Sequence, residues 1–257
     1  MSKKVVDKAF CEAWAEFQAA VPSDDAACDA IYQFVISSGI LRCGCSALES
    51  SHSSGERFYT CRSCKRDFWF TSGTLFDGVV RLRAWLAAIF FKEQGLVVSG
   101  SKLARLTEIS SSTALSIQKK ISLVLLEEMN DTISVSADSF TPVIFRRSRQ
   151  TPAECHPRAE LTQPGEQSWQ AEISPRMKSR IKVVVSHLLN LIGENFHGVS
   201  KKCLQLHLAS LWCAIDRQRW STGAVLFVCM QHAPIKLIDV FNFISSDRVS
   251  IGLALPG

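Results

Sequence analysis

The stretch Tyr59-Thr60-Cys61-Arg62-Ser63-Cys64-Lys65-Arg66-Asp67-Phe68-Trp69-Phe70 decides how this chain is read. Two cysteines, two residues apart, stand where one aromatic run ends and another begins. Arg57 to Thr60 and Arg66 to Phe70 read as two short strands, so Cys61 and Cys64 tip a hairpin. A second pair, Cys43-Gly44-Cys45, lies upstream. A tetrahedral zinc site takes four soft ligands from two such close pairs, because each turn then presents two thiolates to one ion. The single residue between Cys43 and Cys45 makes a tighter turn than usual. Gly44 supplies the backbone freedom for it, and His52 is an alternative ligand. A β unit this thin buries too little surface to hold itself without such a staple. Cys43, Cys45, Cys61 and Cys64 are therefore the expected ligands of a structural zinc ion, in a zinc ribbon over residues 38–76.

Helical periodicity flanks the ribbon on both sides. Val6, Phe10, Ala13, Trp14 and Phe17 recur at helical spacing, and Pro22 and Ser23 end that run. Ser23 is placed to cap a second helix over Ala26 to Ile36. Residues 1–37 thus read as two packing helices. Beyond the ribbon, an apolar helix over Leu82 to Glu93 ends at Gly95. Two more follow, Ser101 to Leu106 and Ser112 to Met129, joined by Thr107-Glu108-Ile109-Ser110. Residues 77–130 have the pattern of a helix-turn-helix, with Leu103, Leu106, Ile109, Ala114, Ile117, Ile121 and Leu125 inward. In such a motif the start of the second helix enters the major groove, and basic residues reach phosphates. The candidate DNA contacts are Arg57, Arg62, Lys65 and Arg66 on the ribbon, and Lys102, Arg105, Ser112, Ser116, Lys119 and Lys120 on the helices. Any three-helix cluster yields a similar pattern, so it is the adjoining basic ribbon that gives this one weight.

The rest of the chain is less regular. Thr132 to Phe145 looks extended. A segment near 146–175, with Pro152, Pro157, Pro164, Gly165 and Pro175, reads as a disordered loop. Helices resume over Arg176 to Ile192 and Lys201 to Arg217, and the fold of residues 221–257 is not legible. The expected fold class is mainly α with a small β zinc ribbon.

Composition sets wide bounds. The chain has 257 residues, 47% of them hydrophobic and 21% charged, which suits a globular protein and excludes wholesale disorder. A net charge of +5 permits a polyanionic partner without demanding one. The first residues, though rich in lysine, lead into no long apolar run, and no segment has the ~18 uncharged apolar residues of a membrane span. A cytoplasmic protein without membrane contact is expected. Six of the ten cysteines are scattered, and in a reducing compartment they read as small buried hydrophobes. Cys155 and His156 are adjacent, but neighbouring side chains seldom converge, so no nucleophile–base pair is read there.

The run from Tyr59 to Phe76 resembles the zinc ribbon of bacterial insertion-sequence transposases, in which ribbon and helix-turn-helix precede an RNase H-like cutting domain. In that family an aromatic strand and a Gly-Thr-aliphatic-Phe turn follow the second cysteine pair, as Gly73-Thr74-Leu75-Phe76 does here. Trp85, Leu103 to Arg105, Thr113-Ala114 and the segment Phe196 to Gln205 continue the resemblance in order. It implies double-stranded DNA as partner, with the inverted-repeat ends of a related element as the candidate target and a homodimer as the candidate assembly. It also implies a truncated α/β RNase H-like remnant over 131–220. Such a nuclease holds two divalent ions with three carboxylates. The ungapped match puts Ala137 at the first position, and only a one-residue shift would bring Asp138 there. No aspartate lies between Asp138 and Asp216, and Lys182 occupies the third position, where its charge would repel a metal. A DNA-binding protein without catalysis is the first reading. An active transposase, with Mg2+ at Asp138, and a zinc-ribbon module for protein contacts are the alternatives.

Overall fold

The computed structural model describes residues 3–41, 43, 45, 52–55, 57–129, 132–144, 175–196 and 198–252. The loop expected near 146–175, together with Cys155 and His156, lies outside the described residues, apart from Pro175, which opens a helix.

The protein is mainly helical, with two small sheets. Helices α1 (Lys3–Ala20) and α2 (Asp24–Ser38) open the chain. Ser23 caps α2, its hydroxyl accepting the Ala26 N–H at 3.1 Å. Strands β1 (His52–Gly55), β2 (Phe58–Thr60) and β3 (Asp67–Trp69) make an antiparallel sheet in that order. Tyr59 pairs with Phe68 across β2 and β3, and both are buried. Helix α3 (Leu82–Glu93) is apolar nearly all round because its neighbours enclose it. Helices α4 (Gly100–Thr107) and α5 (Ser111–Glu127) follow, separated by a three-residue turn.

Past β4 (Thr132–Ser136), the structure corrects the extended reading. The Ser136 hydroxyl accepts the Asp138 N–H at 3.2 Å, and Ala137–Val143 coil into a 3-10 helix containing Pro142. Helix α6 (Pro175–Phe196) is longer than its periodicity predicts. A short 3-10 turn, Lys201–Cys203, then leads into α7 (Leu204–Ile215). The tail is folded: α8 (Ala224–Gln231), α9 (Leu237–Asn242) and β5 (Arg248–Gly252), which pairs antiparallel with β4.

Two hydrophobic clusters result. One joins α1 to α5, the ribbon, α8 and α9. The other joins β4, the 3-10 helix after it, α6 and β5. Helix α7 serves both. Leu204, Leu208, Leu211 and Ile215 face the second cluster, while Ala209, Trp212 and Cys213 face the first. Between α3 and α8 lies a buried carboxylate. Glu93 Oε1 accepts the N–H groups of Val225 and Leu226, each at 3.0 Å. It therefore satisfies donors that the first turn of α8 leaves free, at the positive end of that helix. Burial raises the Glu93 pKa, opposed by the backbone N–H groups of Gly223, Leu226 and Val225. Among the described residues no helix is long and apolar enough to cross a membrane.

Candidate metal centre and basic residues

The β2–β3 hairpin builds half of the metal centre. The Cys61 N–H donates to the Arg66 carbonyl at 3.0 Å, and the Lys65 N–H to the Cys61 carbonyl at 2.9 Å. Closing so tight a knuckle puts Lys65 in the left-handed region, with φ 59°. The turn's amides then point at sulfur. The Cys64 backbone N–H, the Cys43 thiol and the Ser63 N–H hold the Cys61 thiol down to about 6. The Arg66 N–H and guanidinium lower Cys64. Burial, reinforced by the Cys45 thiol, pushes Cys43 up to about 12.

Cys43 and Cys45 complete a group of four thiols lying within 4.8 Å of one another, an arrangement that can hold a metal ion such as zinc. The Cys45–Cys61 and Cys43–Cys64 sulfurs are 3.5 and 4.0 Å apart. A tetrahedral site with ~2.3 Å bonds asks for edges of about 3.8 Å, which these match. Cys43 and Cys45 approach to 2.6 Å, so the one-residue turn must open as an ion enters. Among the described residues this is the one group of three or more potential metal ligands. His52 opens β1, and its side chain lies outside the described residues.

The ribbon is docked on the N-terminal helices by a residue expected to face outward. Arg57 ion-pairs with Asp29, donates to Cys28 Sγ at 3.3 Å and lies over the Tyr32 ring. Tyr32 in turn meets the Tyr59 hydroxyl at 3.3 Å and the edge of Phe70. Lys102 is also engaged internally, with its ammonium 3.1 Å from the Phe10 ring centroid. Arg62, Lys65, Arg66 and Arg105 are exposed.

On α5, the inward row Ala114, Ile117, Ile121 and Leu125 is buried, as its spacing implies. The first turn is open: Ser111, Ser112, Thr113 and Leu115 are exposed, and no acidic residue occupies it. Ser110 caps the helix, accepting the Thr113 N–H at 3.1 Å. Ser116, Lys119 and Lys120 are half-buried. Lys120 is lowered by burial, with Asp239 of α9 opposing, and Lys119 is near enough to help lower His207 of α7. Sequence spacing could not reveal this, because α7 and α9 lie far along the chain from α5 and only the tertiary fold packs them against it.

In the second cluster Ala137 is buried, whereas Asp138 is exposed and lies near Lys201. Lys182 is exposed on α6.

The chain matches no known family model, no curated protein and no solved structure.

Proposed function

We propose that the chain is a zinc-stapled protein that binds duplex DNA, descended from an insertion-sequence transposase and no longer able to cut. The observation that carries this reading is the first turn of α5, exposed and free of acidic residues, in a chain whose ribbon also exposes Arg62, Lys65 and Arg66. A helix start of that kind offers unpaired N–H groups and a positive dipole end, both suited to phosphate.

In this reading α4 and α5 are a helix-turn-helix, and Ser112 faces base edges in the major groove. Arg62, Lys65, Arg66 and Arg105 reach the phosphates on either side. Ser116, Lys119 and Lys120 contribute from the rim where α5 passes under its neighbours. Arg57 and Lys102 act indirectly, by fixing the ribbon to α2 and α4 to α1. The zinc ion holds Cys43, Cys45, Cys61 and Cys64 as a structural staple and takes no part in chemistry.

The remainder is the RNase H-like remnant, and two positions support the loss of cutting. Ala137 is packed in the core where the first carboxylate belongs, and Lys182 stands at the third. Two divalent ions cannot be held by such a set. What is left is occupancy of DNA, as a regulator or remnant of a mobile element.

The test is a gel shift of the full chain on duplex DNA across a salt series. Arg62→Gln with Arg105→Gln should weaken binding and reduce the slope of log affinity against log salt by about 1 for each phosphate that is no longer neutralised. Unchanged affinity would sink the interface. End cleavage in magnesium or manganese that vanishes in Asp138→Ala would overturn the loss of cutting.

A further inference from the structure

We infer that the outward side of α6 is a second contact to the phosphate backbone of nucleic acid, separate from α5; this rests on the DNA-binding reading above.

The orientation of α6 is set by its buried row, Ile181, Val184, Val185, Leu188, Leu189 and Ile192. At ~100° per residue, Arg176 falls nearly opposite that row and Arg180 on its flank, four residues and about 6 Å apart along the axis. Both are exposed, and Lys178 is half-buried on the flank. Among the described residues no carboxylate pairs with Arg176, Lys178 or Arg180.

This placement works against the helix that carries it. The first turn of α6 has no acidic residue, and cations at a helix N-terminus oppose the macrodipole. Like charges four residues apart repel as well. Folding alone would favour carboxylates here, as in α2, whose first turn holds Asp24 and Asp25. A bound polyanion reverses the sign of both effects.

The partner is nucleic acid rather than an anionic membrane. Beyond the arginines, the outward side carries Ser179, Ser186, Asn190 and, near its far end, Glu194, all exposed, and Val183 is its one exposed large hydrophobic residue. A helix that lies in a bilayer surface needs a broad apolar face to insert, and here that face is already spent on the core. Helix α6 belongs to the second cluster and α5 to the first, with α7 packed in both. The two contacts therefore ride on halves held together by one shared helix.

The test uses the full zinc-loaded chain and a labelled 30-base-pair duplex of arbitrary sequence. Arg176→Gln with Arg180→Gln should lower the salt slope by about 1.8, from ~0.9 for each of two phosphates that are no longer neutralised. Its thermal midpoint should equal or exceed that of the wild type, because a repulsion has been removed. Lys8→Gln, which takes an exposed cation from α1, should leave the slope unchanged. A wild-type slope in the double variant would overturn the α6 contact alone, with the α5 reading standing. A wild type that ignores the duplex, or binds phosphatidylserine vesicles instead, would overturn both.

Discussion

The side-chain amide of Gln205, buried at the start of α7, meets both backbone groups of Ser250 in β5. Its Oε1 accepts the Ser250 N–H at 2.7 Å, and its Nε2 donates to the Ser250 carbonyl at 3.1 Å. The amide thus pairs with the free edge of β5 at Ser250 as a further strand would. Gln205→Leu keeps the volume but strands both groups. It is expected to lower stability by about 2 kcal/mol, the scale of buried unsatisfied polar groups. The shift of the urea midpoint checks this, and a variant as stable as the wild type would show that water satisfies the edge.

Purified protein should carry about one zinc ion per chain, the stoichiometry of a single four-ligand site. Cys61→Ser should lose it, since that thiol sits at the centre of the knuckle's amide donors. Bound metal should also fall away as the pH is lowered, because protons compete for the thiolates. Elemental analysis after dialysis at several pH values reads all three outcomes. A metal-free protein whose ribbon resonances stay dispersed would refute the staple.

His207 gives the stability a predictable pH dependence. Burial, with Lys92 and Lys119 nearby, holds its imidazole down to about 4, below the ordinary 6.5. Between those values the unfolded chain binds the proton and the folded chain does not, so stability is whole above pH 6.5 and declines toward pH 4. The half-buried ring makes the loss about 1–3 kcal/mol, less than the full shift would give. His207→Leu should flatten the urea midpoint between pH 7 and pH 4.5 relative to the wild type. Parallel pH profiles for the two proteins would remove His207 as the cause.

The turn between α4 and α5 passes through Glu108, a non-glycine residue in the left-handed region at φ 56°. An L-residue there costs ~1–2 kcal/mol, and glycine's extra freedom in the unfolded chain returns ~0.5–1 of it. Glu108→Gly is therefore expected to stabilise the protein by about 0.5 kcal/mol, raising its melting temperature slightly. A lower melting temperature would mean that the Glu108 side chain makes a contact worth more than the strain.

What could be read without coordinates was local in origin. The extent of α3 follows from the apolar run Ala84 to Phe91 and from Gly95, the start of α2 from Ser23, and the zinc knuckle from the spacing of Cys61 and Cys64. Each of these depends on residues within a few turns of one another, where helical period, capping and ligand reach are set by covalent geometry. The strand β5 had a local signal too, since Val249 and Ile251 alternate with Arg248 and Ser250, but five residues at the end of an untyped tail did not stand out.

Other features had no local signature at all. Ser136 pairs with Arg248 although most of the second half of the chain lies between them, and Arg57 leaves the basic face to ion-pair with Asp29. Helix α7 is apolar on two sides because two cores close on it, one built largely before it in the chain and one built around it. Sequence by itself determined α1 to α7 in outline, the Ser23 cap and the four thiols, since short-range geometry dictates them. Tertiary structure alone decided which cations remain at the surface and which become structural, because burial depends on what distant segments bring alongside.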